Sequence, residues 1–150
     1  MKRCFDLSIA IISVILFFVP LIAISLAIKK TSTGPIIYWS KRMGKDNVIF
    51  LMPKFRTMEL DTPEVATHLL ENSFTHLTPI GAFLRKFSLD ELPQFYSVFK
   101  GDMTITGPRP ALFNQHDLIK LRDKNAVSYL KPGITGWAQV NGRDALTIPE

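Results

Sequence analysis

The sequence predicts an α+β protein, in which an N-terminal membrane helix-break-helix precedes a small domain of helices and short strands. Three observations support this class. The run 7–28 carries no charged residue but contains Pro20. Further on, two short apolar stretches flank a Gly-Lys-Asp-Asn turn, as expected of paired strands. Later segments place apolar residues at helical spacing. We therefore divide the chain into a membrane hairpin, 1–30, and a second domain, 31–150.

The composition excludes several classes of protein. Apolar residues make up 47% of the chain and charged residues 21%, a balance that excludes long disordered regions. A single cysteine, Cys4, excludes a disulfide framework and a cysteine-rich zinc site. The net charge is +5, but four basic side chains and one acidic side chain lie in residues 1–30, so the remaining domain is nearly balanced. We therefore expect no nucleic-acid partner.

The uncharged run 7–28 is long enough to cross a bilayer, because it would measure ~33 Å as a straight helix. It exceeds the apolar core of a secretory signal peptide, and no small-residue cleavage motif follows it. Basic residues flank both of its ends, whereas spanning helices usually show a basic bias toward one side. Pro20 removes a backbone hydrogen bond near its middle. These features favour a helix-break-helix that enters and leaves by one face, and an ordinary span stays open as the alternative.

The second domain is predicted to begin with a hairpin of two strands. Apolar runs at 36–39 and 48–52 flank the turn, and extended chain is expected to continue to Met58. Thr62 and Thr78 are each followed by proline, the pattern of an N-cap with proline at the first helical position. Two helices are therefore predicted to begin at these threonines.

Helical spacing of apolar residues predicts helices over 80–87, 88–99 and 112–130. Short strands are predicted at 103–106 and 137–140. The Gly-Pro-Arg-Pro sequence that follows the first of these strands must form a rigid turn, since two prolines fix two backbone angles.

Two adjacent carboxylates, Asp90 and Glu91, are the strongest candidates for chemistry. Ser88 followed by Glu91 has the spacing of a capping box, which would give Glu91 a structural role alone. If Ser88 caps the helix, Asp90 lies in its first turn, where the helix dipole favours the ionised carboxylate. An ionised carboxylate can attack phosphorus or hold a divalent cation. A simple helix-stabilising acid is the alternative interpretation of Asp90.

Several basic side chains suit the binding of phosphate. Arg109 lies between two prolines, and a positioned guanidinium can bind phosphate through two parallel hydrogen bonds. Arg85 precedes the carboxylates, while Lys54 and Arg56 alternate on a predicted strand and can face one side. Arg143 ends a glycine-rich stretch whose amides can approach an anion. Each arginine alone is more simply a solvated residue, but together with the carboxylates and the membrane segment they predict phosphoryl chemistry beside a bilayer.

Segments spread over nearly the whole chain occur in an order typical of one family. They are Lys2-Arg3-Cys4-Phe5-Asp6, Lys54-Phe55-Arg56-Thr57-Met58, Arg85, Ser88-Leu89-Asp90-Glu91-Leu92-Pro93-Gln94, Lys100-Gly101-Asp102-Met103, Gly107-Pro108-Arg109-Pro110, and the run 132–143. In this order they resemble the bacterial sugar transferase family, the monotopic polyprenyl-phosphate sugar-1-phosphate (phosphoglycosyl) transferases.

The resemblance implies a re-entrant membrane helix broken at Pro20, with the catalytic domain on the cytoplasmic face of the bacterial inner membrane. It implies transfer of a sugar-1-phosphate from a UDP-sugar to polyprenyl (undecaprenyl) phosphate with release of UMP, as the first membrane step of bacterial glycan synthesis. Asp90 would be the nucleophile and form a phosphosugar-aspartyl intermediate. Mg²⁺ would bind near Asp90 and Glu91, so capping is no longer the whole role of Glu91. The basic groups of the active site would be Arg56, Arg85, Arg109 and Arg143.

Two features depart from the family pattern. Members often have serine before the proline that breaks the hairpin, whereas Val19 precedes Pro20 here. Members also usually continue for several tens of residues beyond the motif that ends at Arg143. The alternative hypothesis is therefore a catalytically inactive, truncated membrane-bound remnant or a partner subunit. The sugar nucleotide, the glycan (exopolysaccharide, capsule, O-antigen or glycoprotein) and the presence of a homo-oligomer stay open.

Overall fold

The computed structural model describes residues 1–63 and 76–141. It begins with two helices, α1 (Lys2–Leu16) and α2 (Phe18–Thr31), whose axes bend by 61° where they meet at Phe17. The break lies just ahead of Pro20, whose ring clashes with the carbonyl one turn earlier and which has no N–H to donate. The predicted helix-break-helix is thus present in the structure.

The bent pair has the composition of a membrane segment. Within the described residues, neither helix alone has the length and apolarity to cross a bilayer, but α1 and α2 together do. Apolar side chains near the bend are exposed, with 69% of Ile15 and 72% of Val19 accessible. Farther from the bend each helix has a covered position, since Ala10 of α1 and Ile28 of α2 are fully buried.

Two antiparallel strands follow the hairpin, β1 (Ile37–Met43) and β2 (Ile49–Phe55). Asp46 and Asn47 in the connecting turn have φ values of 55° and 58°, a conformation that short polar side chains tolerate better than most. The predicted strand pair is confirmed, and each strand extends beyond its predicted end. The helix predicted to begin at Thr62 falls largely outside the described residues.

The next segment contains helix α3 (Gly81–Lys86), a six-residue 3-10 segment (Leu89–Gln94) and helix α4 (Phe95–Lys100). The single helix predicted over 88–99 is therefore wrong in its first half. Ser88 has a left-handed backbone, with φ 56°, so the chain changes direction there instead of continuing as one helix. Pro93 removes a further donor inside the 3-10 segment.

The last described part contains a parallel pair of strands, β3 (Thr104–Thr106) and β4 (Gly133–Thr135), connected through helix α5 (His116–Lys124). Helix α5 is much shorter than the predicted 112–130 helix, because the chain leaves helical geometry and reaches φ 57° at Ala126. The strand predicted at 137–140 is also wrong, since these residues form helix α6 (Trp137–Val140).

The core consists of two clusters, and each helix of the hairpin contributes to one of them. In the first, Ala10 of α1 packs with buried residues of β2 and α4 and with Met103. In the second, Ile28 of α2 packs with Phe55 and Leu84. The ends of the hairpin are therefore part of the same packed body as the strands.

The start of α1 is also fixed by polar contacts. Asp6 is only 5% exposed and accepts hydrogen bonds from the Thr104 hydroxyl at 2.7 Å and from the Ile105 amide at 3.0 Å. The Arg3 guanidinium donates to the carbonyls of Val98 and Phe99 at the end of α4. These bonds hold the first turn of the hairpin against β3 and α4.

Candidate active site

Two cationic side chains from separate parts of the fold meet at Glu91. The Lys54 ammonium, near the end of β2, lies 2.9 Å from Glu91 Oε1. The Arg109 guanidinium, in the turn after β3, lies 3.4 Å from the same oxygen. Lys54 and Glu91 side chains are each 15% exposed, and that of Arg109 is 29% exposed. The centre is therefore shielded on the Lys54 side and open to solvent on the Arg109 side.

Asp90 lies beside this centre and is 8% exposed. Burial raises the pKa of the Asp90 carboxyl, and the negative charge of Glu91 raises it further. The positive charges of Lys54 and Arg85 act in the opposite direction without cancelling the effect of burial. Asp90 lies in the first turn after Ser88, but that turn belongs to a six-residue 3-10 segment, and burial raises the pKa of its carboxyl on balance. Stabilisation of the carboxylate by a helix dipole stays a prediction.

The predicted capping box is also wrong. Within the described residues, the Ser88 hydroxyl does not cap the 3-10 segment that follows it. The backbone amide of Glu91 donates instead to the Ser88 carbonyl, at 3.2 Å, and closes an ordinary turn. This leaves the Glu91 carboxylate directed at Lys54 and Arg109 rather than at a helix end.

The sequence predicts that Lys54 and Arg56 can face one side of a strand. The family resemblance, however, implies only arginines as the basic groups of the active site, so it does not include Lys54. Burial lowers the pKa of the Lys54 ammonium, and the charge of Arg42 adds to this effect, while Glu91 and Asp90 oppose it. Its role depends on the register of β2 and on Glu91, which is 37 residues away. No local sequence signal reports that contact.

Arg56 lies elsewhere. It is only 4% exposed, and its Nε donates to the Pro35 carbonyl at 2.8 Å. One of its Nη atoms donates to the Ser32 hydroxyl at 2.9 Å. Arg56 thus fastens the segment that leaves α2, whereas Lys54 contacts the carboxylate centre.

The other predicted arginines differ in what the structure describes of them. Arg85, on α3, donates from Nε to the Thr57 hydroxyl at 3.0 Å, and its charge lowers the pKa of Asp90. Arg109 contacts Glu91, as given above. Arg143 lies outside the described residues. The structure therefore brings Arg85 and Arg109 to the two carboxylates, together with Lys54.

The two carboxylates also suit a divalent cation. The described residues contain no group of three or more His, Cys, Asp or Glu side chains placed to hold a metal. Mg²⁺, however, is usually bound by one or two carboxylates together with substrate phosphates rather than by an all-protein cage. Asp90 and Glu91 offer such a pair of hard oxygen donors, beside cations that suit phosphate.

Comparison with known proteins places this geometry in context. The family model described as bacterial sugar transferase matches residues 1–150. The chain is 40% identical to the UDP-glucose:undecaprenyl-phosphate glucose-1-phosphate transferase of Escherichia coli (strain K12), over 95% of this chain and 31% of that protein. It is 36% identical to the UDP-N-acetylgalactosamine-undecaprenyl-phosphate N-acetylgalactosaminephosphotransferase of Aeromonas hydrophila, over 93% of this chain and 33% of that protein.

A third relative is shorter. The chain is 36% identical to the exopolysaccharide production protein ExoY of Rhizobium meliloti (strain 1021), over 95% of this chain and 70% of that protein. The chain thus spans about a third of the length of the first two relatives and more than two thirds of the third.

Proposed function

The chain belongs to the bacterial sugar transferase family, and on this basis we propose that it transfers a sugar-1-phosphate from a UDP-sugar to polyprenyl phosphate and releases UMP. The observation that carries the proposal is the buried Asp90 carboxyl, which lies beside Glu91 and among the cations Lys54 and Arg85. A carboxylate in this setting is a nucleophile with groups around it that bind a diphosphate.

In the first step, an Asp90 oxygen attacks the β-phosphorus of the UDP-sugar. The new oxygen–phosphorus bond forms as the bond from that phosphorus to the bridging oxygen breaks, and UMP leaves with the electron pair. In the second step, a phosphate oxygen of polyprenyl phosphate attacks the same phosphorus. The bond to Asp90 then breaks, which yields polyprenyl-diphosphate-sugar and restores the carboxylate.

The surrounding side chains have separate roles in this scheme. Burial strips water from Asp90, while Lys54 and Arg85 favour its ionised, attacking form. Arg109 is partly exposed, so its guanidinium can give up its contact with Glu91 Oε1 and bind the incoming diphosphate. Asp90 and Glu91 would hold Mg²⁺, which when bound neutralises phosphate charge.

The hairpin is proposed to lie re-entrant in the bacterial inner membrane, with the catalytic part on the cytoplasmic face. Its 61° bend and the exposed apolar residues near Phe17 support this placement, because both ends of the pair return to the packed domain. Cysteines introduced at Lys2 and Lys30, in a Cys4→Ser background that removes the exposed native thiol, should react from one side of the membrane. Labelling from opposite sides would establish a span.

The activity is tested by UMP release from UDP-sugars with Mg²⁺ and undecaprenyl phosphate. Asp90→Asn should lower turnover by ~10⁴-fold, because the attacking oxygen is lost. Asp46→Asn is the matched control, since Asp46 lies in the turn between β1 and β2 and 51% of its side chain is exposed. Unchanged turnover in Asp90→Asn would reject the nucleophile, and a chain that binds UDP-sugar without releasing UMP would indicate an inactive remnant.

The identity of the sugar is tested in the same assay. The names of two relatives specify UDP-glucose and UDP-N-acetylgalactosamine, and that of a third specifies exopolysaccharide production. We propose that this chain performs the first membrane step of a bacterial surface glycan of this kind. A panel of UDP-sugars, ranked by kcat/KM, identifies the donor.

A further inference from the structure

Arg42 on β1 connects a buried strand position to the turn that carries Arg109. Its Nε donates to the Ser40 hydroxyl at 3.0 Å, and Ser40 is 2% exposed. One of its Nη atoms donates to the Pro110 carbonyl at 3.2 Å. The Arg42 guanidinium is thus bonded to its own strand through Nε and to the turn through one Nη atom.

The chain after Pro110 runs along β1. The Met43 amide donates to the Ala111 carbonyl at 2.9 Å, and Arg42 forms an antiparallel bridge with Leu112. The downstream end of the turn is therefore attached to β1 at consecutive positions, and the Arg42 side chain makes the attachment closest in sequence to Arg109.

The upstream end of the turn is attached to a different element. The Gly107 amide donates to the Thr135 carbonyl at 2.9 Å, and the Pro108 carbonyl accepts from the Gly133 amide at 2.9 Å. Gly133 approaches so closely that an added Cβ would lie 2.1 Å from the Gly107 nitrogen. The turn that carries Arg109 is consequently attached to β4 at its upstream end and to β1 at its downstream end.

The contact between Arg109 and Glu91 depends on both of these attachments. Its distance to Glu91 Oε1 is 3.4 Å, near the outer limit for a hydrogen bond, so a small displacement of the turn would remove it. Proline at positions 108 and 110 fixes two φ angles but leaves the ψ of Pro110 free. The hydrogen bond from Arg42 to the Pro110 carbonyl fixes the orientation of the peptide plane that this ψ angle sets.

We propose that Arg42 is a positioning residue for Arg109: by holding the Pro110 carbonyl, it keeps the Arg109 guanidinium facing Glu91 and the diphosphate. This inference rests on the proposed function. Neither the composition of the turn nor the two prolines reveals it, because the holding group lies 68 residues earlier in the chain.

A second readout separates positioning from support of the fold. A residue that only supported the fold would lower the amount of active protein and leave the KM and the UDP affinity of the folded fraction unchanged. Displacement of Arg109 should change both.

The test is a double-mutant cycle of Arg42→Gln and Arg109→Gln, read by UMP release and by calorimetric binding of UDP. A displaced catalytic group can cost up to ~10²-fold, so we expect Arg42→Gln to lower kcat/KM by ~10–10²-fold. In the Arg109→Gln background the same change should cost less than ~3-fold, because the group it positions is absent. Arg42→Lys should recover only part of the rate, since an ammonium lacks the planar fork.

Lys41→Gln is the matched control, because it removes one charge from the adjacent position of β1, where Lys41 lies over the Phe113 ring. It should stay within ~2-fold of wild type, at unchanged Tm. Equal losses from Arg42→Gln with and without Arg109 would overturn the proposal, as would wild-type kinetics. If wild type binds UDP but releases no UMP, the transfer fails and the binding cycle alone decides the role of Arg42. If it neither binds UDP nor releases UMP, both proposals fail.

Discussion

Two buried aspartates in this fold show how the same side chain serves opposite purposes. Asp6, at the start of α1, is 5% exposed, and Asp90, in the 3-10 segment, is 8% exposed. Burial by itself acts to raise the pKa of both carboxyls. At Asp6 the hydrogen bonds from Thr104 and Ile105 outweigh burial, so the pKa is lowered. At Asp90 burial prevails, and the pKa is raised.

The difference lies in what faces each carboxylate. Asp6 is met by a hydroxyl and an amide at hydrogen-bonding distance, with the charges of Lys2 and Arg3 in addition. Asp90 is affected most by burial and then by the charges of its neighbours, one of which, Glu91, is negative. Fixed donors make a carboxylate an anchor, whereas a desolvated carboxylate among charges keeps the reactivity that the proposed transfer needs.

Among changes to the surroundings of Asp90, the largest expected effect on activity comes from making them resemble the surroundings of Asp6. Glu91→Gln removes the charge that raises the pKa of Asp90 and also releases Lys54 and Arg109. We expect kcat/KM to fall by ~10²–10³-fold, as when one preorganised electrostatic group is lost. The acid limb of the pH–rate profile should move to lower pH. A profile that stays in place would show that Glu91 does not act on Asp90.

The next effect is on folding stability. Asp6→Asn replaces a charged acceptor of two hydrogen bonds by a neutral group, and should lower the free energy of unfolding by ~1.5–3 kcal/mol. Chemical denaturation at neutral pH measures it. Thr104→Val, which removes one of the two donors, should cost less. Because the pKa of Asp6 is lowered in the fold, this stabilisation is present above its ordinary pKa of 3.8 and is lost as the pH falls below it. Equal stability of Asp6→Asn and wild type would contradict an anchoring role.

Asp90→Asn should change stability in the opposite direction. Because its pKa is raised in the fold, ionised Asp90 costs stability at neutral pH, and its replacement should raise the free energy of unfolding by ~0.5–2 kcal/mol while activity is lost. The gain should vanish below pH 3.8, where the carboxyl is protonated in both states. A lower Tm for Asp90→Asn at neutral pH would mean that the carboxylate supports the fold.

The smallest effect separates the two aspartates in wild type. On acidification Asp90 gains its proton first, because its pKa is raised, and Asp6 gains it last, because its pKa is lowered. Turnover should therefore decline at a higher pH than the near-ultraviolet circular dichroism of the folded chain. Coincident loss of both signals would remove the distinction.

Local sequence was enough to predict the parts of this site that lie close together in the chain. The adjacent pair Asp90–Glu91, the rigid turn around Arg109 and the break near Pro20 follow from neighbouring residues and from proline geometry. The apolar spacing over 88–99 predicted one helix, but its first half, which contains Pro93 and follows the left-handed residue Ser88, is a 3-10 segment.

The long-range contacts could not be predicted in this way. The ion pair of Lys54 with Glu91 spans 37 residues, and the bond from Arg42 to Pro110 spans 68. Both depend on the register of two strands and on the docking of the turn against β1. The role of Arg56 in the active site, which the family resemblance implies, stays a prediction. In the structure Arg56 contacts the segment that leaves α2, and Lys54 makes the contact with Glu91.

The most direct test of the central claim is the mass of the chain after incubation with UDP-sugar and Mg²⁺ in the absence of polyprenyl phosphate. If Asp90 is the nucleophile, intact-protein mass spectrometry should show a gain of one sugar-1-phosphate less one water. The adduct should lie on the peptide that contains Asp90, disappear on addition of polyprenyl phosphate, and be absent from Asp90→Asn but present in Asp6→Asn. Transfer to the acceptor without any adduct, or an adduct that persists in Asp90→Asn, would contradict the account.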